Sequence, residues 1–274
     1  MSPLRIKPLT TCLTLTLSLM AVASAQAAVM TQGKLTIGTD MTFPPYEFLE
    51  NKTPAGFDIE FINGVAQAMK LQPQFVDTRF TSLIPGLQAK RYELIASALF
   101  ITPERSKVID LIPYLKTGES LVTLSNSTFK PKTPEELCGH KVGSMQGTYW
   151  LEKLHSLSTE YCAKQGLKPI AVSEFSTDPQ VTQAMLSHAV EVQMTDAAVA
   201  KQVAAKMKGR LEVTSETLLY PVLIGLGISK ANPEFKQELI QGIAAYKATG
   251  QYTTLLKKYS LAEPQEADIQ ALKK

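Results

Sequence analysis

The chain has 274 residues, of which 45% are hydrophobic and 19% charged, a balance typical of a folded globular protein with one large or two ordinary domains. The formal net charge is only +3 and no Lys/Arg cluster is present, so the composition offers no surface for nucleic acid. His140, His155 and His188 do not stand three or four residues from a cysteine or another histidine, which argues against a zinc site. We expect neither a metal nor a cofactor.

The N-terminal segment predicts a signal peptide over residues 1–27. Arg5 and Lys7 form a basic start, and the apolar stretch 13–22 is too short to span a bilayer of ~30 Å. Small residues then suit a signal peptidase that cuts after Ala27. An amphipathic first helix or a retained anchor is the alternative, but nothing after Ala27 has the pattern of a stop-transfer segment. We therefore expect the mature chain to be soluble and exported.

Export changes how the cysteines are interpreted. Cys12 precedes the apolar stretch, whereas a lipid-anchoring cysteine would follow it, so we do not expect a lipoprotein. Cys138 and Cys162 remain as an even pair in an oxidising compartment, where we predict a disulfide. Two free buried thiols are the alternative. A nucleophilic cysteine is disfavoured because His140 is the only nearby candidate base.

Strand-like and helix-like segments alternate along the first half of the mature chain. Alternation of this kind predicts a parallel sheet with right-handed crossovers. Thr102 followed by Pro103 is typical of a helix start, with a capping hydroxyl and then proline at the first helical position. The predicted strands cover 35–39, 74–77 and 94–97, and the predicted helices cover 57–69 and 82–87 and begin again at 103.

The same pattern restarts in the second half, and no low-complexity linker separates the two halves. We predict two α/β lobes joined by extended crossings near 117–120 and 214–221, so that the chain enters the second lobe and returns. One lobe then comprises residues 28–119 with 219–274, and the other comprises residues 120–218. The predicted strands are 121–124, 141–144, 169–172, 190–194 and 222–229, and the predicted helices are 133–137, 148–156, 178–187, 196–206, 233–249 and 252–258.

Charged and aromatic side chains collect at the carboxyl ends of these strands, where open α/β sheets bind ligands. An arginine there gives paired hydrogen bonds to a carboxylate, an aspartate holds an ammonium, and a turn that opens a helix suits an anion. Charge by charge, the set complements a free amino acid. Its members are Asp40, Phe43, Phe80, Arg105, the Gly147-Thr148 turn and Asp196.

Composition and spacing leave other interpretations of the same residues open. Arg105 also suits a surface residue paired with Glu104 or Asp110. Asp196 also suits the N-cap of the helix that follows it. Phenylalanines such as those at 43 and 80 are common in hydrophobic cores.

A set of short motifs spans the mature chain in order. The motifs are LTIGTD (35–40), FPPYEF (43–48), GFD (56–58), LIPGL (83–87), ITPER (101–105), PY (113–114), VG (142–143), QGT (146–148), the region of Asp196, GQY (250–252) and KKY (257–259). Together they resemble the periplasmic substrate-binding proteins of polar amino acid ABC importers. The resemblance implies a two-lobed, mainly parallel α/β fold with a ligand cleft between the lobes. It also implies a periplasmic monomer that closes over an amino acid, polar or basic, and delivers it to an inner-membrane permease.

The resemblance implies roles for individual residues. Arg105 matches the arginine that clamps the ligand α-carboxylate, with help from Thr148. Asp196 matches the acceptor for the α-ammonium. Phe43 and Phe80 match the walls that sandwich the ligand.

Four further positions bear on which ligand is chosen. Asp40 matches a carboxylate that faces the ligand side chain in proteins binding basic or amide ligands, and Ser144 lies where side-chain contacts vary. Phe100 departs from the pattern, because this position usually holds a small hydroxyl residue or glycine, and Ala98 lies two residues before it. The departure removes a donor and adds bulk, so a shorter, decarboxylated or ω-amino ligand is an open alternative.

Two other function classes fit the same scaffold. Some dehydratases and cell-wall lyases resemble this fold, but a lyase of that kind needs a catalytic carboxylate in the cleft and usually an extra domain. A receptor's sensing domain is disfavoured because no second apolar span follows the first. We expect a binding protein and not an enzyme.

The first prediction concerns export. Protein isolated from the exported fraction should begin at Ala28, because the cleavage pattern ends at Ala27. Intact mass spectrometry measures this directly. A mass that still includes residues 1–27 would contradict the predicted signal peptide.

Overall fold

A computed structural model describes residues 29–272 of the chain. The predicted signal peptide at 1–27 and Cys12 lie outside the described residues. Within residues 29–272, no helix is long and apolar enough to cross a membrane. In the same range, no group of three or more His, Cys, Asp or Glu side chains is arranged to hold a metal ion.

Strands and helices alternate through the first half of the described chain. The elements are β1 (Lys34–Thr39), β2 (Thr42–Phe43), β3 (Glu47–Glu50), β4 (Thr53–Ala55), α1 (Phe57–Ala68), β5 (Gln72–Asp77), α2 (Leu83–Gln88), β6 (Leu94–Ile95), α3 (Pro103–Val108) and β7 (Asp110–Leu124). Pro103 occupies the first turn of α3, and the Thr102 hydroxyl accepts a hydrogen bond from the Arg105 N–H, as the sequence predicts. The small strands β2–β4 form a separate sheet that the sequence analysis missed.

The second half contains the remaining elements. They are β8 (Lys141–Met145), α4 (Tyr149–Ser156), β9 (Ala171–Phe175), α5 (Asp178–Leu186), β10 (Val192–Asp196), α6 (Ala197–Lys206), β11 (Leu211–Val213), β12 (Leu219–Ile228), α7 (Pro233–Ala248), α8 (Gln251–Tyr259) and α9 (Glu266–Ala271). The predicted strand at 169–172 lies two residues too early, and α9 was not predicted. The predicted helix at 133–137 is a single 3-10 turn at Pro134–Leu137.

Two groups of parallel strands flank a pair of long antiparallel strands. β1 pairs in parallel with β5 and β6, and β8 pairs in parallel with β9 and β10. The long strands β7 and β12 run antiparallel between the groups, giving the order β5-β1-β6-β12-β7-β10-β8-β9, with β11 also paired to β7. The mainly parallel, two-lobed α/β fold expected from the sequence is therefore confirmed.

The strand β7 changes partners along its length. Its residues from Asp110 to Glu119 pair with β12, those from Glu119 to Thr123 pair with β10, and the last three pair with β11. On β12 the register shifts between Leu219 and Val222, and Tyr220 has a left-handed φ of 42°. We propose from this change of partners that residues 28–119 with 219–274 form the first lobe and residues 120–218 the second.

The sequence analysis predicted only the last four residues of β7. Its first half contains Pro113, which lacks the N–H that a ladder position needs and lies next to a register shift opposite Gly225. The strand predicted at 94–97 is also shorter, because the chain turns at Ala98, which has a φ of 42°.

The first lobe is built around an aromatic core. On α1, Phe57 and Phe61 are fully buried, and Phe61 stacks on Tyr114 of β7 with the ring centroids 5.2 Å apart. Tyr252 of α8 packs against the same Phe61 ring. The carboxy-terminal helices α7 and α8 thus pack on α1, so the last part of the chain completes the lobe that the first part begins.

Cys138 and Cys162 form the predicted disulfide, with their Cα atoms 5.6 Å apart. The bond joins the turn before β8 to a π-helical turn that continues α4. The two cysteines are 24 residues apart in sequence, and Cys162 is fully buried.

The second prediction is that replacing both cysteines by serine lowers the free energy of unfolding by about 3 kcal/mol, because the unfolded chain regains the entropy of an open loop of that length. Urea unfolding of the oxidised wild type and the double variant measures the difference. An unchanged unfolding midpoint would show that the bond does not stabilise the fold.

Candidate binding cleft between the lobes

Side chains from both lobes meet in the cleft and hold it closed. Tyr46 donates its hydroxyl to Asp196 across the cleft at 3.0 Å, and Arg105 donates to the carbonyl oxygen of Gly147 at 3.0 Å. Phe43 stacks on Trp150 of the opposite lobe with the centroids 6.1 Å apart. Because each pair joins the two lobes, the structure shows the closed arrangement.

Arg105 is held at the start of α3 by the Thr102 cap. Its guanidinium donates to the carbonyl oxygens of Phe100 (2.8 Å) and Gly147 and lies 5.4 Å from the centroid of the Phe80 ring. Burial lowers the pKa of Arg105 to about 10. Among residues 29–272 no carboxylate lies within 4.0 Å of it, so most of its five N–H donors remain for another acceptor.

The surface pairing of Arg105 with Asp110, one of the open interpretations, is wrong. Asp110 pairs with Lys230 at 3.2 Å and Lys236 at 2.8 Å instead. Arg105 therefore faces the cleft and not the surface of the first lobe.

Asp196 ends β10 and is the N-cap of α6. Its carboxylate accepts hydrogen bonds from the N–H groups of Ala198 (2.8 Å) and Val199 (3.2 Å), from Tyr46, and from the hydroxyl of Thr117 at 2.7 Å. The side chain is fully buried, and burial raises the pKa of Asp196 to about 6. Capping is thus one role of this residue, and its contacts with Tyr46 and Thr117 also tie the second lobe to the first.

Asp40 has a cation of its own. Its carboxylate accepts from the Thr42 hydroxyl at 2.7 Å and the Phe80 N–H at 2.8 Å, and it forms an ion pair with Arg79 at 3.0 Å. Its side chain is 1% exposed, and burial raises its pKa. The structure thus places the charge of Asp40 against Arg79, a contact that the sequence analysis did not anticipate.

The aromatic residues form one cluster across the cleft. Phe43 stacks on Tyr46 as well as on Trp150, and Phe100 meets the Trp150 ring edge-on at 5.2 Å. Phe100 is 1% exposed, so its bulk fills the position where the resemblance implied a small hydroxyl residue. Phe80 is half-buried, and the Arg105 guanidinium lies over its ring.

Ala98 lies in a turn that buried acids hold in place. Its N–H donates to Asp58 at 2.9 Å, which compensates for its left-handed φ, and Asp58 also accepts from Tyr114 at 2.7 Å. The preceding Ser97 donates to Glu47 at 2.9 Å. Burial raises the pKa of Asp58 to about 6 and that of Glu47 well above its usual value, so these carboxyls favour sharing a proton.

The turn that opens α4 carries the remaining predicted residues. Thr148 caps α4: its hydroxyl accepts from the Leu151 N–H and donates to the Met145 carbonyl at 2.7 Å. Gly147 has a left-handed φ of 73°, and a Cβ there would stand 3.0 Å from Thr81 of the first lobe. Ser144 is buried on β8 and donates at 3.5 Å to a carbonyl of β10.

The sequence analysis missed one acid at the cleft, Glu119. It lies on β7 directly opposite Asp196 in the strand register and is fully buried. In the part of the chain that the structure describes, neither carboxylate oxygen has a hydrogen-bond partner, and the same is true of the Trp150 ring N–H. The pKa of Glu119 is raised to about 9, mainly by burial and secondly by the neighbouring charge of Asp196. The sequence contained one signal of this acid, because Glu119 is a charged residue inside the predicted crossing at 117–120.

Comparisons with known proteins were made on the whole chain. The histidine-binding periplasmic protein of Escherichia coli (strain K12) is 29% identical over 258 residues, which cover 92% of this chain and 96% of that protein. An ancestral arginine-binding protein bound to arginine has a TM-score of 0.75 and 27% identity, covering 83% of this chain and 98% of that one. An ancestral amino acid-binding protein described as a precursor of cyclohexadienyl dehydratase has a TM-score of 0.70 and 27% identity, covering 83% and 95%.

The family comparison covers the described fold from its first strand to beyond α8. Residues 35–262 match the family "Bacterial extracellular solute-binding proteins, family 3". This range contains both parallel strand groups, both long crossing strands and every residue of the cleft described above. The chain therefore belongs to the bacterial extracellular solute-binding proteins, family 3.

Proposed function

We propose that this protein is a periplasmic binding protein that takes up a polar or basic amino acid and delivers it to the permease of an ABC importer. The observation that carries the proposal is the presence of Arg105 in one lobe and Asp196 in the other. These two side chains of opposite charge enter the closed cleft from different lobes, and within residues 29–272 neither has a counter-ion. The names of the relatives, which bind histidine and arginine, support the same ligand class.

In this proposal each end of the amino acid binds a different lobe. The carboxylate accepts hydrogen bonds from Arg105 and from the Gly147-Thr148 turn, and the ammonium donates to Asp196. A ligand that bridges the lobes binds the closed form more tightly than the open form, so it shifts the protein towards closure. No covalent step is required. We propose that the protein works as a monomer, because both halves of the site come from one chain.

The buried carboxylates of the cleft and the bulk of Phe100 narrow the choice of ligand. Acidic amino acids are disfavoured because the cleft already holds buried carboxylates, and a like charge there would lack a partner. Phe100 fills space beside Arg105, whose NH1 binds the Phe100 carbonyl. The candidate ligands are lysine, arginine, ornithine, histidine and glutamine, with ω-amino acids and simple amines as the alternative that Phe100 keeps open.

An enzyme on the same scaffold is the second candidate. The structural similarity to a precursor of cyclohexadienyl dehydratase and the buried Glu119 carboxyl, which is protonated at neutral pH, are the observations that favour it. A general acid in the cleft would leave its ligand chemically changed. Incubating ligand-stripped protein with each candidate and analysing the small molecules by mass spectrometry separates the two functions. We expect every ligand to be recovered unchanged.

The ligand is identified by a thermal-shift screen. Protein refolded after removal of any bound ligand is heated with each amino acid and with simple amines. A ligand at about 100 times its Kd stabilises the folded state by about 2.7 kcal/mol and raises the melting temperature. A flat response to every amino acid and amine would contradict the proposed function.

The third prediction is that Arg105→Ala and Asp196→Asn each weaken ligand binding about 30-fold to several thousand-fold. Removing one partner of a desolvated charged hydrogen bond costs about 2–5 kcal/mol. Asparagine keeps the N-cap of α6, so the second variant should remain folded. Arg105→Lys should also lose most of the affinity, since a point charge cannot reproduce the planar fork.

Calorimetric titration with the ligand found in the screen measures these affinities. Arg91→Ala, on the exposed surface of the first lobe, is the matched control and should bind like the wild type. If either cleft variant binds with near-normal affinity, that residue does not contact the ligand. Arg105 would then be a packing residue, or Asp196 only a helix cap.

A further inference from the structure

Glu119 and Asp196 form a pair of neighbouring carboxyl groups at the base of the cleft. They are directly opposed on the antiparallel strands β7 and β10. Side chains at opposed positions leave the same face of the sheet, with Cβ atoms ~4.5–5.5 Å apart. Thr117, two residues before Glu119 on β7, donates its hydroxyl to Asp196. Residues two apart on a strand share a face, so the side chains of Thr117, Glu119 and Asp196 lie on the same face of the sheet. Glu119 therefore faces the same space as Asp196.

Glu119 is a fully buried acid for which neither carboxylate oxygen has a hydrogen-bond partner among the described residues. Asp178 is also buried, but it accepts from Gln193 at 2.8 Å and Thr195 at 2.7 Å. For Glu119 no donor is found within residues 29–272, although a buried carboxyl without a hydrogen bond is costly. A fold that retains such a group at its cleft leaves room for a donor that the chain itself does not supply.

The nearby lysine does not provide that donor. Lys153 of α4 attracts Glu119 electrostatically, yet its ammonium lies 4.6 Å from the Tyr149 ring centroid and 5.8 Å from that of Tyr220. It is not within 4.0 Å of Glu119, the distance of an ion pair. The cation–π contacts hold it away from the acid.

The charge balance of the cleft involves Arg105, Asp196 and Glu119. Asp40 is neutralised by Arg79, and the buried acids Asp58 and Glu47 are bonded to groups of the first lobe, which leaves Arg105 as one positive charge against Asp196 and Glu119. If Glu119 is ionised, the cleft complements a ligand with one carboxylate and two cationic nitrogens. If it is protonated, the cleft complements a neutral zwitterion.

We propose that Glu119 is a second cation-binding carboxylate of the site, which together with Asp196 selects a basic amino acid such as arginine, lysine or ornithine. This inference rests on the proposed function and names its substrate class. It assigns to Glu119 the selection of a cation that the sequence analysis assigned to Asp40.

Binding by Glu119 is coupled to a proton. Without ligand the carboxyl is protonated at neutral pH, because burial and the charge of Asp196 raise its pKa to about 9 against the opposing effect of Lys153. Tyr220 on β12 also lies within electrostatic reach and is neutral at this pH, since burial raises its pKa to about 12. When a ligand cation reaches the site, the Glu119 O–H bond breaks, the carboxylate pairs with the cation, and the proton leaves to the buffer.

The fourth prediction follows from this exchange. At pH 7 the wild type should release close to one proton for each basic amino acid that it binds. Because binding releases a proton, its affinity should increase as the pH rises from 6 to 8, by up to about tenfold per pH unit. Glutamine, which adds no second cation, should bind without net proton release.

Calorimetric titration in buffers of different ionisation enthalpy measures the released protons. Ligand-stripped wild type, Glu119→Gln and Thr123→Val are titrated with arginine, lysine and glutamine. Thr123 lies on β7 four residues after Glu119 and is also a buried polar side chain without a hydrogen-bond partner in the described part of the chain, so its variant is the matched control. Glu119→Gln should release no proton and lose about tenfold or more in affinity for arginine and lysine, but under about threefold for glutamine. Thr123→Val should match the wild type.

The outcomes separate this inference from the proposed function. Arginine or lysine binding by the wild type without proton release, or with unchanged affinity in Glu119→Gln, would overturn the role of Glu119 while leaving an amino acid-binding protein. If Glu119→Gln does not fold, the buffer dependence of the wild type and of Glu119→Asp decides the question, since both retain the titrating group. If none of the three amino acids binds the wild type, the proposed function itself fails and this inference fails with it.

Discussion

Two carboxyl groups buried side by side at the junction of the lobes are the constraint on which the site depends. Asp196 and Glu119 face each other on β10 and β7, both fully buried, and no cation of residues 29–272 lies within 4.0 Å of either. Burial raises the pKa of Asp196 to about 6 and that of Glu119 to about 9, so at neutral pH Asp196 is charged and Glu119 holds a proton that an ionised site would release. A cation from outside removes this penalty, and closure of the lobes over it excludes the water that would compete.

The fold places these groups through strand crossings and helix caps. Glu119 lies where the pairing of β7 with β12 ends and its pairing with β10 begins, so the acid stands where the lobes meet. Asp196 and Thr148 stand at the starts of α6 and α4, and Thr102 caps the helix that carries Arg105. Asp196, Thr148 and Arg105 thus lie at the starts of helices, where the caps fix the backbone.

Local patterns in the sequence were sufficient for the parts of the structure that depend on neighbouring residues. Thr102 and Pro103 mark the start of α3, alternation predicts the two parallel strand groups, and an exported cysteine pair predicts the disulfide. Contacts that depend on strand register could not be found in this way. The opposition of Glu119 to Asp196 requires the pairing of β7 with β10, and the pairing of Arg79 with Asp40 joins two separate loops. The strand-end positions singled out Arg105 and Asp196, and the family resemblance gave them roles, but neither carried information on Glu119.

The central claim is that charge complementarity between the lobes selects an amino acid with an excess of positive charge. Native mass spectrometry of the protein isolated from its own compartment, without denaturation, tests this most directly, because it weighs whatever small molecule the closed cleft retains. We expect one bound molecule per chain, released intact on activation and identified by its mass as a basic amino acid. A retained dicarboxylic acid, or a molecule with no cationic nitrogen, would contradict it.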